Sequence, residues 1–148
     1  TADFTDWQSG AGEGANYGVY GVADQEIYRH GGKSISFFTR GGGAPENVNT
    51  IAWYVDGGFN FSGFVPGRLL DTAGVALACS SFSHDFSDAQ VSGGSSPYNT
   101  ESVLEATYKI QVSPWWTVQP DFQYIFTPSG EDGSRNATIL GLRTTVVF

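Results

Sequence analysis

From Glu101 to Phe148 the chain falls into three long runs that alternate apolar with polar residues, and it closes on an aromatic side chain; no other feature constrains the fold as tightly. Successive side chains on a β-strand point to opposite faces, so a period of two makes one face apolar and the other polar. In Glu101–Val112 the residues Leu104, Ala106, Tyr108, Ile110 and Val112 share one parity, and Glu105, Thr107, Lys109 and Gln111 the other. Trp115–Phe126 sets Trp116, Val118, Phe122, Tyr124 and Phe126 against Thr117, Gln119, Asp121 and Gln123. Asn136–Phe148 places Leu140, Leu142, Thr144, Val146 and Phe148 on one parity and Arg143 and Thr145 on the other. Soluble sandwiches alternate too, but their strands run about 5–6 residues, whereas runs of about 12 match the roughly 9–11 residues of a tilted membrane strand. Rings also fall at the ends of a run, Trp115 and Trp116 at one end and Tyr124 and Phe126 at the other, as in the aromatic girdles of outer-membrane barrels. The expected fold is all-β: an antiparallel transmembrane β-barrel.

Reading back from the C-terminus, strands are expected at Asn136–Phe148, Trp115–Phe126, Glu101–Val112, Asp71–Ser83, Thr50–Gly63, Lys33–Gly41 and Asn16–Arg29. Thr50–Gly63 is again clean, with Ile51, Trp53, Val55, Phe59 and Phe61 opposed to Asp56, Asn60 and Ser62; the two earliest runs do not assign their faces. Connections alternate in length. Arg29–Gly32, Phe64–Leu70 and Ser113–Pro114 are expected on the periplasmic side, and Gly42–Asn49, Ser83–Thr100 and Thr127–Arg135 outside, with residues 1–15 an extracellular loop. Seven strands leave two raw edges, which hydrocarbon does not tolerate. Ala2–Gln8 could supply the end of an eighth strand; the preferred reading is a segment of a larger barrel, completed by the same or another chain. Pro120 cannot donate to a ladder and predicts a local irregularity.

Composition agrees with strands and turns: aromatic and charged residues each make up 15%, and glycine is abundant. A net charge of -8 with only seven Lys and Arg disfavours nucleic acid and anionic headgroups as partners and leaves uncharged or cationic solutes. Cys79 stands alone, so neither an internal disulfide nor a cysteine zinc cluster is expected, and nothing calls for a cofactor. The start at Thr1, without a signal peptide, suggests a chain that is processed or cut from something longer.

Several runs resemble the C-terminal third to half of the carbohydrate-selective OprB-type porins: NYGVYGVADQEIYR from Asn16, FVPGRLLD from Phe64, ESVLEATYKIQVSPWWTVQPDFQYIFTPSG from Glu101, and the closing GLRTTVVF. The Glu101–Gly130 run is the most specific, and Pro120 matches a proline that such sequences carry there. The resemblance implies a barrel of about sixteen strands that lets sugars diffuse across the outer membrane of Gram-negative bacteria. It also implies that the family's N-terminal strands, with most of its inward-folded constriction loops, lie outside this sequence. Partners would then be outer-membrane lipid, mono- or oligosaccharides, the remaining barrel strands and the barrel insertion machinery, for which Phe148 would be the recognition signal; simple packing at the lower girdle is the alternative role of that ring.

A sugar carries no net charge but many hydroxyls, so a selective wall needs donors and acceptors. The polar parity offers Arg40, Asp56, Asn60, Glu105, Lys109, Gln119, Asp121, Gln123 and Arg143 as pore-lining candidates, with Glu105, Lys109, Asp121 and Arg143 forming a mixed-charge ladder across adjacent strands. Against this stands the plainer reading that these groups merely solvate the wall. Arg68 belongs to a Pro-Gly turn at the rim or contacts a departing solute. Glu105 and Asp121 satisfy the count of a glycosidase pair, but no other catalytic feature accompanies them, and no enzyme is expected. His30 beside Gly31 and Gly32, and His84 near Asp85 and Asp88, lack any recognised ligand spacing. Competing readings are a soluble, lectin-like sandwich, which would bury the apolar face against a second sheet, and a structural piece of a split barrel.

Overall fold

A computed structural model describes residues 4–148. Its main element is one seven-stranded antiparallel sheet in strict chain order, built from β3 (Val19–His30), β4 (Lys33–Gly43), β5 (Ile51–Ser62), β6 (Thr72–Phe82), β7 (Thr100–Ser113), β8 (Trp116–Phe126) and β9 (Ala137–Val146). Each of the seven expected strands is present within a few residues of its expected bounds, at 10 to 14 residues in length. A small separate hairpin pairs β1 (Phe4–Thr5) with β2 (Gly12–Glu13). Phe4 and Thr5 therefore pair locally and do not extend the main sheet, which corrects the expectation of an eighth strand there; Ala2, also named for it, lies outside the described residues.

The two shortest turns, β3–β4 and β7–β8, lie at one end of the sheet beside the longer Gly63–Asp71 connection. Gly31 and Gly32, both at positive φ (57° and 80°), form the two-residue turn between β3 and β4, a backbone that L side chains resist. The other end carries more structure than expected. Ser83–Thr100, read as a loop, holds helix α1 (His84–Ser92), whose first turn is capped by the Ser83 hydroxyl accepting from Phe86 N–H at 3.2 Å. A nine-residue helix with no clear apolar stripe leaves little periodic trace among Gly, Ser and Asp, which is why sequence pattern misses it. Phe86 of α1 packs against Trp7, Phe82 and Tyr98 at centroid distances of 5.1, 6.1 and 5.2 Å.

No hydrophobic residue among those described is buried, and Leu140, Leu142 and Tyr20 are 79, 74 and 87% exposed. The accessible surface is 9508 Å² for a 15.8 kDa chain, against about 7,300 Å² for a folded soluble monomer of that mass. The sheet therefore has no second layer, and Leu104, Tyr108, Val118, Phe122 and Leu142 share an uncovered apolar face.

Three register shifts and one gap interrupt the ladders. The shift at Ile51/Trp53 turns Ile51 to the face opposite Trp53, against its expected parity, and another lies at Gln111/Ser113 beside the β7–β8 turn. Between β3 and β4 the register slips at Glu26/Tyr28, an extra residue that flips the parity of β3 and explains why its faces cannot be read by alternation. Between β7 and β8 pairing lapses at Tyr108 and Lys109, opposite Pro120 and Gln119, while β8 stays paired with β9 through Pro120–Leu142. The missing proline N–H accounts for the gap, and the register on either side of it is unchanged.

Candidate functional site: the polar face of the sheet

The register assembles the polar face from rows of directly opposed residues. One row runs Asn60–Gly74–Thr107–Asp121–Gly141 across β5 to β9; the next, towards the long loops, runs Phe38–Gly58–Ala76–Glu105–Gln123–Ile139. Towards the short turns lies Ser34–Ser62–Thr72–Lys109, and beyond it Gln119 opposite Arg143. All nine residues singled out by sequence thus share one face. Arg40 and Asp56 are directly opposed, and Asp56 is buried; Arg40, Lys109 and Arg143 are exposed, and the others are half-buried.

Glycine makes room where polar side chains crowd. A Cβ on Gly74 would stand 2.9 Å from Thr107 Oγ1 and 3.1 Å from Asn60 Oδ1, and one on Gly141 would stand 3.2 Å from Asp121 Oδ1. The result is a shallow cavity of about 330 Å³ lined by Glu105, Thr107, Gln119, Asp121, Gln123 and Arg143. Within it Gln123 Nε2 donates to Glu105 Oε2 at 3.1 Å.

The expected charge ladder is arranged differently. Among the described residues, ion pairs join Arg29–Glu26, Arg40–Asp56, Arg68–Asp71 and His84–Glu46. None joins Glu105, Lys109, Asp121 or Arg143 to one another, because like charges occupy the same or neighbouring rows and opposite charges do not face each other across a rung. The Arg40–Asp56 pair is bidentate, at 2.9 and 3.0 Å, and Tyr54 OH also donates to the Asp56 carboxylate.

Three groupings escape a reading by alternation. Asp24, Glu26 and Arg29 of β3 belong to the polar face, and the bulge is what lets Glu26 and Arg29, three residues apart, meet on it. Their odd spacing was the available signal. Arg68, placed in a turn, pairs with the buried Asp71, which also accepts from Tyr108 OH at 2.8 Å and Gln111 N–H at 2.9 Å. Asp71 precedes β6, and the Arg68 guanidinium, then these two donors, hold its carboxyl down to about 2. His84 faces Glu46, whose Oε2 accepts its N–H at 2.7 Å and lies 3.0 Å from Nδ1; that backbone donor holds the Glu46 carboxyl below its ordinary value. His30 closes β3 at the Gly31–Gly32 turn, opposite Lys33.

The family model of the carbohydrate-selective porins, OprB family, matches residues 4–148, nearly the whole chain. The chain belongs to that family. Porin B of Pseudomonas aeruginosa is 28% identical over 151 aligned residues, covering 91% of this chain and 33% of the relative. The high-pH structure of OprB from Pseudomonas putida superposes with a TM-score of 0.87 at 24% identity, over 98% of this chain and 41% of that one. The chain thus spans about a third of the length of its curated relative, and its open seven-stranded sheet is a segment of a porin barrel.

Proposed function

We propose that the polar face of this OprB-family chain lines part of an aqueous passage through which uncharged carbohydrate diffuses without catalysis. The observation that carries this reading is the separation of chemistry across a single sheet. Arg40, Asp56, Asn60, Glu105, Lys109, Gln119, Asp121, Gln123 and Arg143 lie on one side and the uncovered apolar residues on the other. A sheet one residue thick with such faces suits lipid outside and water inside. The family match and the names of the two relatives, both porins, support the same reading. Sugar hydroxyls would exchange hydrogen bonds with Asn60, Gln119 and Gln123 and with the carboxylates of Glu105 and Asp121.

The setting is the outer membrane of a Gram-negative bacterium. The short turns and the C-terminus face the periplasm, and α1 and the longer loops face outside. Further strands pair with the open edges of β3 and β9, and Phe148, fully exposed after β9, is read by the insertion machinery. The test is liposome swelling with the whole protein in neutral sugars of increasing size. Swelling that falls with sugar size is the expected result; recovery of the folded protein in buffer without detergent, with no swelling, would sink the proposal. A soluble sandwich is disfavoured because nothing covers the apolar face.

A further inference from the structure

On β7 to β9 the polar face sorts its charges by position along the strands, whereas on β4 and β5 Arg40 and Asp56 face each other as a contact pair on the long-loop side. Next to the cavity, Glu105 of β7 and Asp121 of β8 occupy two neighbouring rows that hold no cation on β7, β8 or β9. The following row towards the short turns holds Lys109 of β7 and, across Gln119, Arg143 of β9, with no carboxylate on these strands. β3 repeats the order, with Asp24 and Glu26 ahead of Arg29, but there Glu26 and Arg29 close into a contact pair. Rows on one face are about 7 Å apart, beyond ion-pair reach, and no salt bridge joins Glu105 or Asp121 to Lys109 or Arg143, so each charge faces the water and is not neutralised in a contact pair. Strand tilt of roughly 35–45° slants the rows without reversing the order on β7 to β9.

We infer that Glu105 and Asp121 on the long-loop side, and Lys109 and Arg143 on the short-turn side, form two oppositely charged bands in series along the passage, and that together they discriminate against ions of either sign in favour of uncharged solutes. This rests on the polar face being the lumen. A cation is drawn in by the first band and opposed by the second, and an anion meets the reverse, so each sign has one barrier on the route while a neutral sugar has none. The arrangement also gives the wall a direction. With the long-loop side positive, cations enter through the acidic band and anions through the basic one, and both accumulate where the bands meet. The opposite voltage depletes that junction.

The experiment uses the whole protein in planar bilayers across a KCl gradient, comparing wild type with E105Q/D121N and K109Q/R143Q. Neutralising the acids should move the permeability ratio towards chloride and neutralising the bases towards potassium, each by about threefold or more. Both pairs should also reduce the asymmetry of current with voltage, since either band alone leaves no junction. Single-cysteine variants E105C and R143C, in a Cys79→Ala background, are then treated in the bilayer with a cationic methanethiosulfonate. A change in conductance on treatment, with opposite selectivity shifts in the two double variants, supports the inference. Conductance changes with permeability ratios that stay put, or that move in the same direction, overturn the bands while leaving the passage intact. No conductance change at either cysteine overturns the lumen assignment and the bands with it.

Discussion

Single side chains on the polar face are set by what their neighbours leave open. Gly141 leaves space for the Asp121 carboxylate, and the cavity beside Glu105 and Gln123 depends on that space. Gly141→Val should therefore displace Asp121 and narrow the passage, lowering sugar-driven liposome swelling at least about twofold while the barrel still folds, as read by its heat-dependent gel mobility. Ser83 is fully buried and has two jobs at the opposite end: its hydroxyl donates to the Glu46 carbonyl at 2.6 Å and caps α1. Ser83→Ala removes the cap and strands that carbonyl, a local cost of about 1–2 kcal/mol that should show as faster hydrogen exchange in residues 84–92 with little change in the strands.

At the level of elements, the turn between β5 and β6 is fastened to β7 by one carboxylate. Asp71 is held by Arg68, Tyr108 and the Gln111 N–H, which lowers its carboxyl to about 2 from the usual carboxylate range near 3.8. A carboxyl depressed in the folded state stabilises fully above its unfolded pKa, and that contribution fades as pH falls through the folded value. Asp71→Asn should therefore lower the thermal midpoint of the reconstituted barrel at pH 6, and the difference from wild type should narrow between about pH 4 and pH 2; a difference that stays constant with pH would refute the assignment. Pro120 acts at the same scale. It interrupts pairing with β7 for two rungs yet leaves the register intact on both sides, so Tyr108 still reaches Asp71 and Lys109 keeps its place on the polar face.

For the whole molecule, the decisive property is the missing core. An exposed apolar face of this extent in water would drive association, whereas lipid or detergent covers it at no such cost. Replacing Leu140 and Leu142, both outward on β9 and strongly exposed, with Lys should destabilise the barrel in lipid by roughly 2–4 kcal/mol per residue near the bilayer midplane, measured by denaturant titration of the reconstituted protein. Equivalent changes at Gln119 and Gln123 on the polar face should cost far less. Equal costs on both faces would argue against a bilayer setting.

Alternation in Glu101–Phe148 and Thr50–Gly63 determined by itself that those segments are membrane-length strands and, away from the bulges at Ile51/Trp53 and Gln111/Ser113, which residues share a face, because a period of two needs no knowledge of the partner strand. It did not place Glu26 and Arg29 on that face, since one extra residue at the β3 bulge inverts parity without changing composition. Nor did it yield α1, the Asp71 hub or the Glu46–His84 contact, whose members come from separate loops and meet only once the strands are in register. The sorting of charge into rows was likewise decided by tertiary structure. Each strand fixes the face of its own carboxylates and cations, but only the pairing offset between neighbouring strands sets Glu105 and Asp121 to one side of Lys109 and Arg143.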